Sequence, residues 1–225
     1  LMLQIYASGG LLAGGLIDLL ERAVELLLVE WELQKYDPKT GTREGILQIL
    51  AMDRDRLRQT LNAIALDVHK GFDRRGGSTS AIPRTVLLSA FYDMSRRHRK
   101  NATDDLMHLI GERAGLLEEV RPGEYRFLHR QIQEYLAACA LAAATDYPAN
   151  LLPLIQQNAA NLWETFLFVN RIQIRRQPTS LWLLIETLCP DDTTTVLDEM
   201  VAWRVFIAGH AYAKTIEDLS RVPPF

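Results

Sequence analysis

Leu116-Leu117-Glu118-Glu119-Val120-Arg121-Pro122-Gly123-Glu124-Tyr125-Arg126-Phe127-Leu128-His129-Arg130-Gln131-Ile132-Gln133-Glu134-Tyr135-Leu136-Ala137-Ala138 is the stretch that decides the fold. Its first half reads as a β-hairpin. Pro122 and Gly123 at the two central turn positions suit a type II turn, in which proline presets φ and glycine accepts positive φ. Tyr125, Phe127 and His129 then alternate onto one strand face. Its second half switches to helical spacing, with Ile132, Tyr135, Leu136, Cys139 and Ala143 on one side of a helix that runs on to Ala144.

Two helices are expected before the hairpin. One covers Ile82 to about His98, with Pro83 in its first turn and Leu87, Leu88, Phe91 and Met94 inward. The other starts at Thr103 as N-cap, carries Asp104 and Asp105 where the helix dipole favours acids, and stops at Gly115. Helix, helix, hairpin, helix is the order of a winged-helix module. Upstream, Phe72-Asp73-Arg74-Arg75-Gly76-Gly77-Ser78-Thr79-Ser80 reads as a linker. Before it lie two amphipathic segments. Leu16, Leu20, Ala23, Val24, Leu27 and Trp31 form the stripe of the first, which stops near Tyr36-Asp37-Pro38. Leu57, Leu61, Ile64, Ala65 and Val68 form that of the second, with a fresh start at Asp53 or Asp55. After about Tyr147 the chain reads as stacked helical pairs separated by Pro148, Gln177-Pro178, Pro190-Asp191-Asp192 and Gly209. The expected fold is mostly α: a helical domain over 1–79, a winged-helix domain with one small β-hairpin over 80–146, and a helical, repeat-like region over 147–225.

Composition narrows the class. Of 225 residues, 48% are hydrophobic and 24% charged, as in globular proteins, which excludes disordered, collagen-like and disulfide-rich chains. The balance of 25 basic and 28 acidic residues gives a net charge of −3, which suggests neither a nucleic-acid binder nor a polybasic membrane protein. No apolar run approaches the roughly 18 residues that span a bilayer. The two cysteines fit a reducing compartment. The chain begins at Leu1 without a basic leader, as an internal piece of a longer protein would.

The string from Ala114 through the hairpin to Ala138 resembles the winged-helix signature of NACHT-type signalling NTPases of the STAND class. The family pattern is Phe, one residue, His, one residue, Ser or Thr, Phe, Gln, Glu, Tyr or Phe, one residue, Ala-Ala. Phe127, His129, Gln133, Glu134, Tyr135, Ala137 and Ala138 fall in register. Gln131 replaces the usual hydroxyl residue, and Ile132 replaces the usual phenylalanine. Leu1-Met2-Leu3-Gln4-Ile5 looks like the segment just after the nucleotide-binding core. The helices ending Val29-Glu30-Trp31-Glu32 and Ala65-Leu66-Asp67-Val68-His69 look like the first helical domain of such proteins. The resemblance implies a regulatory arm that packs on an NTPase core of the same polypeptide, with ATP or ADP held by that core. It implies homo-oligomerisation on activation, and a cytoplasmic location. It also implies that His129 reaches the terminal phosphate of ADP, and that Arg130 and Glu134 are candidates for interdomain contact, Glu134 also being able to pair with Arg130 at i, i+4 spacing.

No catalytic residue and no metal ligand set is expected. Gly9 and Gly14 have phosphate-loop spacing, but Gly15 stands where Lys is required, so no cofactor is assigned to this chain itself. His69, His98, His108 and His210 lack metal-ligand spacing. Glu118 and Glu119 point to opposite faces of a strand, and Cys139 and the tryptophans Trp163, Trp182 and Trp203 are read as core residues. A DNA-binding winged-helix regulator is the first alternative. The run Arg96-Arg97-His98-Arg99-Lys100 favours it, but Asp104, Asp105 and Glu112 on the presumptive reading helix would repel phosphate. A non-catalytic helical scaffold for protein interaction is the second. Isothermal calorimetry of this chain with ATP or ADP should show no binding, since it carries no triphosphate-cradling element; micromolar binding would refute that reading.

Overall fold

The computed structural model describes residues 15–30, 54–71, 81–95, 107, 110, 115–189 and 198–220, with backbone alone at 29–30, 93–95 and 214–220. The expected linker at 72–80, the basic run at 96–100, the cap at Thr103, the Asp37-Pro38 stop, Trp31 and the Pro190-Asp191-Asp192 break lie outside these residues. Among the described residues the fold is mostly α, with seven α-helices and one three-stranded antiparallel sheet. The chain divides into two compact units, Leu1–Gln133 and Glu134–Phe225.

In the first unit, α1 (Gly15–Glu25) continues as a π-helical turn, Leu26–Glu30. Ile17, Leu20, Ala23 and Val24 are buried, followed by Leu26, Leu27 and Leu28. Leu16 is exposed, so the stripe starts one residue later than the spacing predicts. The next described helix, α2 (Arg54–Gly71), has Asp55 in its first turn. Leu57, Leu61, Ile64 and Ala65 are buried on one face, as expected, and so is His69. The two helices are tied by Arg54 to Glu25, and by Arg58 Nη2 to Glu21 Oε2 at 3.3 Å.

The sheet has a strand that periodicity did not reveal. Ile82–Pro83 is not the start of a helix but a two-residue strand, β1, and α3 (Arg84–Ser95) begins after it. With β2 (Leu117–Arg121) and β3 (Glu124–Phe127) it forms a sheet of order β1-β3-β2, in which Ile82 pairs with Tyr125 and Leu117 with Phe127. β1 is an edge strand, where a proline lacking its N–H is tolerated. The Arg84 N–H then donates to the Gly123 carbonyl at 2.8 Å, fastening the hairpin tip to the start of α3. Gly123 has φ +76°, the positive value that the third residue of a type II turn requires. Glu119 Oε1 accepts from its N–H at 2.7 Å, and the register shifts between Glu119 and Arg121. Glu118 pairs across the strands with Arg126.

α4 (Arg130–Ala142) follows the hairpin and spans the division between the units. From Ile132 through Ala138 all seven consecutive residues are buried. A helix buried around its whole circumference is an internal element, not a surface helix with one apolar stripe.

In the second unit, α5 (Leu152–Arg176), α6 (Ser180–Leu188) and α7 (Glu199–Ser220) pack on one another, each touching the other two. α5 is kinked at Asn158, whose ψ of 56° is non-helical, and Asn161 Nδ2 donates to the Asn158 side-chain oxygen at 2.7 Å. Leu162, Phe166, Val169 and Leu184 form part of the core. The Tyr147 hydroxyl donates to Asn170 Oδ1 at 3.0 Å, and burial raises the phenol's pKa above its ordinary range. Gln173 Nε2 donates to the Ala142 carbonyl at 2.7 Å, satisfying an acceptor at the end of α4. Pro148 and Pro178 lie outside the helices, as expected, but Gly209 breaks nothing and sits inside α7. Trp182 is not a core anchor; it is exposed, and Trp163, Trp203 and Cys139 are half-buried.

Candidate functional site

The hairpin-to-helix junction holds every residue singled out in the sequence. β3 ends at Phe127, whose buried ring anchors the strand. The Leu128 N–H donates to the Leu116 carbonyl at 3.0 Å, closing the ladder below the junction. His129 comes next, in the N-cap position of α4. Its carbonyl accepts from the N–H groups of Ile132 and Gln133, both at 3.1 Å. Its side chain is exposed, as are those of Arg130 and Gln131. The strand alternation that would have put His129 beside Phe127 therefore ends at Phe127, because His129 already belongs to the helix cap.

The motif thus separates into two parts. His129, Arg130 and Gln131 are presented to solvent at the N-terminal end of a 13-residue helix. That end carries unsatisfied N–H groups and the positive pole of the helix dipole. Ile132 to Ala138 is interior. Glu134 belongs to the interior part, at 4% exposure. A carboxylate so covered is held inside rather than on a solvated helix surface.

Gln133 is the other polar residue of the interior part, and its partner was not legible as such. Its Nε2 lies 3.3 Å from Nδ1 of His69, near the C-terminal end of α2. With the amide N–H donating, Nδ1 accepts and the imidazole proton sits on Nε2. His69 and Gln133 are both buried, so the bond satisfies polar groups that water does not reach. The sequence weighed His69 only as a metal ligand. The signal available was its place four residues after Ala65 on the buried face of α2, where a polar side chain demands a partner.

Residues 17–141, more than half of the chain, match the family model described as the winged helix-turn-helix domain C-terminal to NACHT. The chain belongs to that family. The matched span runs from Ile17 in α1 to Leu141 in α4, taking in the sheet and the whole junction, and leaves α5, α6 and α7 outside. No curated protein and no solved structure matches the chain. The family's description makes this a NACHT-associated region. Among the described residues no helix is long and apolar enough to cross a membrane.

The two parts of the motif should respond differently to substitution. Gln133→Ala strands a buried imidazole nitrogen and should cost about 1–3 kcal/mol, lowering Tm by about 2–12 °C in a chain of this size. His129→Ala removes an exposed side chain whose backbone carbonyl remains, and should stay within about 0.5 kcal/mol. Thermal melting followed by circular dichroism checks both. Equal losses would erase the distinction between interior and presented residues.

Proposed function

We propose that this chain is the regulatory helical and winged-helix arm of a NACHT/STAND-type NTPase. The arm packs on the nucleotide-bearing core of the same polypeptide in the ADP state and releases on exchange. It thereby gates homo-oligomerisation and signalling, in the cytoplasm. In this reading 1–79 is the helical domain, 80–146 the winged-helix domain and 147–225 the C-terminal helical region. The chain contributes no catalysis of its own; ATP and ADP are held by the core.

The observation that carries the reading is the exposure of His129 and Arg130 at the N-terminal end of α4, directly beside a stretch that is buried throughout. A phosphate is favoured at such an end by the free N–H groups and by the helix dipole. An imidazole N–H and a guanidinium are the donors that suit it. A phosphate in turn favours the protonated imidazole. Because α4 is interior from Ile132 through Ala138, the presented residues are held on a rigid element, as a contact that must discriminate nucleotide states requires. The family match, which places such domains next to NACHT, supports the same reading.

A charge-assisted hydrogen bond made only in the closed state contributes about 1.5–3 kcal/mol, which shifts a two-state equilibrium by roughly 10- to 150-fold. In the full-length protein, His129→Ala should therefore speed ADP release by about tenfold or more, and oligomerisation should begin at lower activator concentration. Stopped-flow release of a fluorescent ADP analogue measures it. Unchanged release with a lower melting temperature of the arm would make His129 structural and sink the sensing role.

A further inference from the structure

The second unit presents an apolar face that its own packing does not cover. On α7 the outward positions Ala202, Val205, Phe206, Gly209, Tyr212 and Ala213 are all exposed, and none is charged. On α6, Trp182 and Leu183 are exposed, and the Trp182 ring lies 6.5 Å from that of Tyr212, so the two helices contribute to one patch. The sole Lys, Arg, Asp or Glu between 202 and 213 is Arg204, and its Nη2 is turned back to donate to the Thr187 carbonyl at 3.1 Å.

Three features distinguish this patch from scattered surface hydrophobics. First, Phe206 is 47% exposed yet held by rings on several sides. Trp203 lies 5.6 Å away edge-on, Trp163 is 6.4 Å away, and His210 stacks at 5.9 Å. A preorganised exposed aromatic is what an interface hot spot requires. Second, Gly209 occupies the middle of α7, where glycine costs helix stability relative to alanine. Among the described residues a Cβ there would meet nothing within 4 Å, so none of them needs its smallness. A helix laid against it from outside would. Third, bulky residues and small ones share the face: Phe206, Tyr212 and Trp182 project, and Ala202, Gly209 and Ala213 leave notches between them.

We infer that this face, formed by Trp182 and Leu183 of α6 with Val205, Phe206, Gly209 and Tyr212 of α7, is a self-association surface on which a second copy of the chain docks through its own α7. Projections and notches on one surface are what a two-fold interface needs, because each residue must fit a counterpart from the same patch. The α7 part of the face carries no charge and meets no like-charge penalty when it pairs with itself, while Glu186 of α6 lies one turn beyond Trp182 at its edge. The area agrees. Exposures of 60%, 48%, 50%, 47% and 43% for Trp182, Leu183, Val205, Phe206 and Tyr212, on side chains of roughly 200 Å², leave roughly 500 Å² per copy. Two copies together bury roughly 1,000 Å² before the small residues are added, which is the lower bound for a biological interface. The inference is independent of the nucleotide switch, since it rests on residues that lie outside the junction.

Sedimentation equilibrium of the 225-residue chain tests it. The wild type should form a concentration-dependent dimer. Phe206→Glu places like charges close together across the interface and should weaken dimerisation by about thirtyfold or more. Gly209→Arg raises helix propensity while filling the notch, so it should abolish the dimer with the melting temperature kept or raised. A wild-type chain that stays monomeric at every accessible concentration overturns the proposal, and so does a dimer that survives both variants.

Discussion

The burial of seven consecutive residues of α4, Ile132 to Ala138, is the constraint on which the junction depends. Seven consecutive interior residues leave no solvent face to absorb polar groups, so each must be small, apolar or partnered. Ala137 and Ala138 are small, which lets neighbouring elements approach closely. Ile132, Tyr135 and Leu136 are large and bury about 1.5–3 kcal/mol of side-chain transfer energy each. Gln133 is polar, and it obliges α2 to carry His69 at the position that meets it. The hairpin is bound by the same logic. It delivers the chain into α4 through Phe127, and its tip is locked to α3 by the Arg84–Gly123 hydrogen bond.

The same helix separates the interior from what is presented. At His129 the backbone performs a structural task, accepting two N–H bonds, while the side chain is left outside. This division of labour allows an exposed residue to be positioned firmly without contributing much to stability. It also explains why a short motif mixes residues of unlike chemistry. His129 and Arg130 face outward, and Gln133 and Glu134 face inward, although all four lie within six residues.

Much of this was legible in the order of residues. The Pro122-Gly123 pair announced the turn, the change from alternation to helical spacing announced α4, and the motif register around His129 named the family that the comparison then matched. What escaped did so for physical reasons. β1 has two residues, one of them proline, and no alternation can appear over so short a strand. Leu16 and Ile17 are both apolar, so which of them starts the stripe is set by tertiary packing rather than composition. Glu134 reads as a surface carboxylate because its residue type and spacing carry no sign of its burial. Gly209 and Trp182 were read by habit, as a break and as a core anchor. Both instead mark an outward face of the second unit, where a glycine inside a helix and an exposed indole serve contact with something other than the chain that bears them.

The central claim is that α4 is interior from Ile132 through Ala138 and presented at its first residues, and native-state hydrogen exchange tests it most directly. Amides at residues 134–138 should exchange only through global unfolding, while the His129, Arg130 and Gln131 amides exchange rapidly. If the amides at 134–138 open several kcal/mol below the global transition, α4 is a peripheral helix and the account of how His129 is held fails.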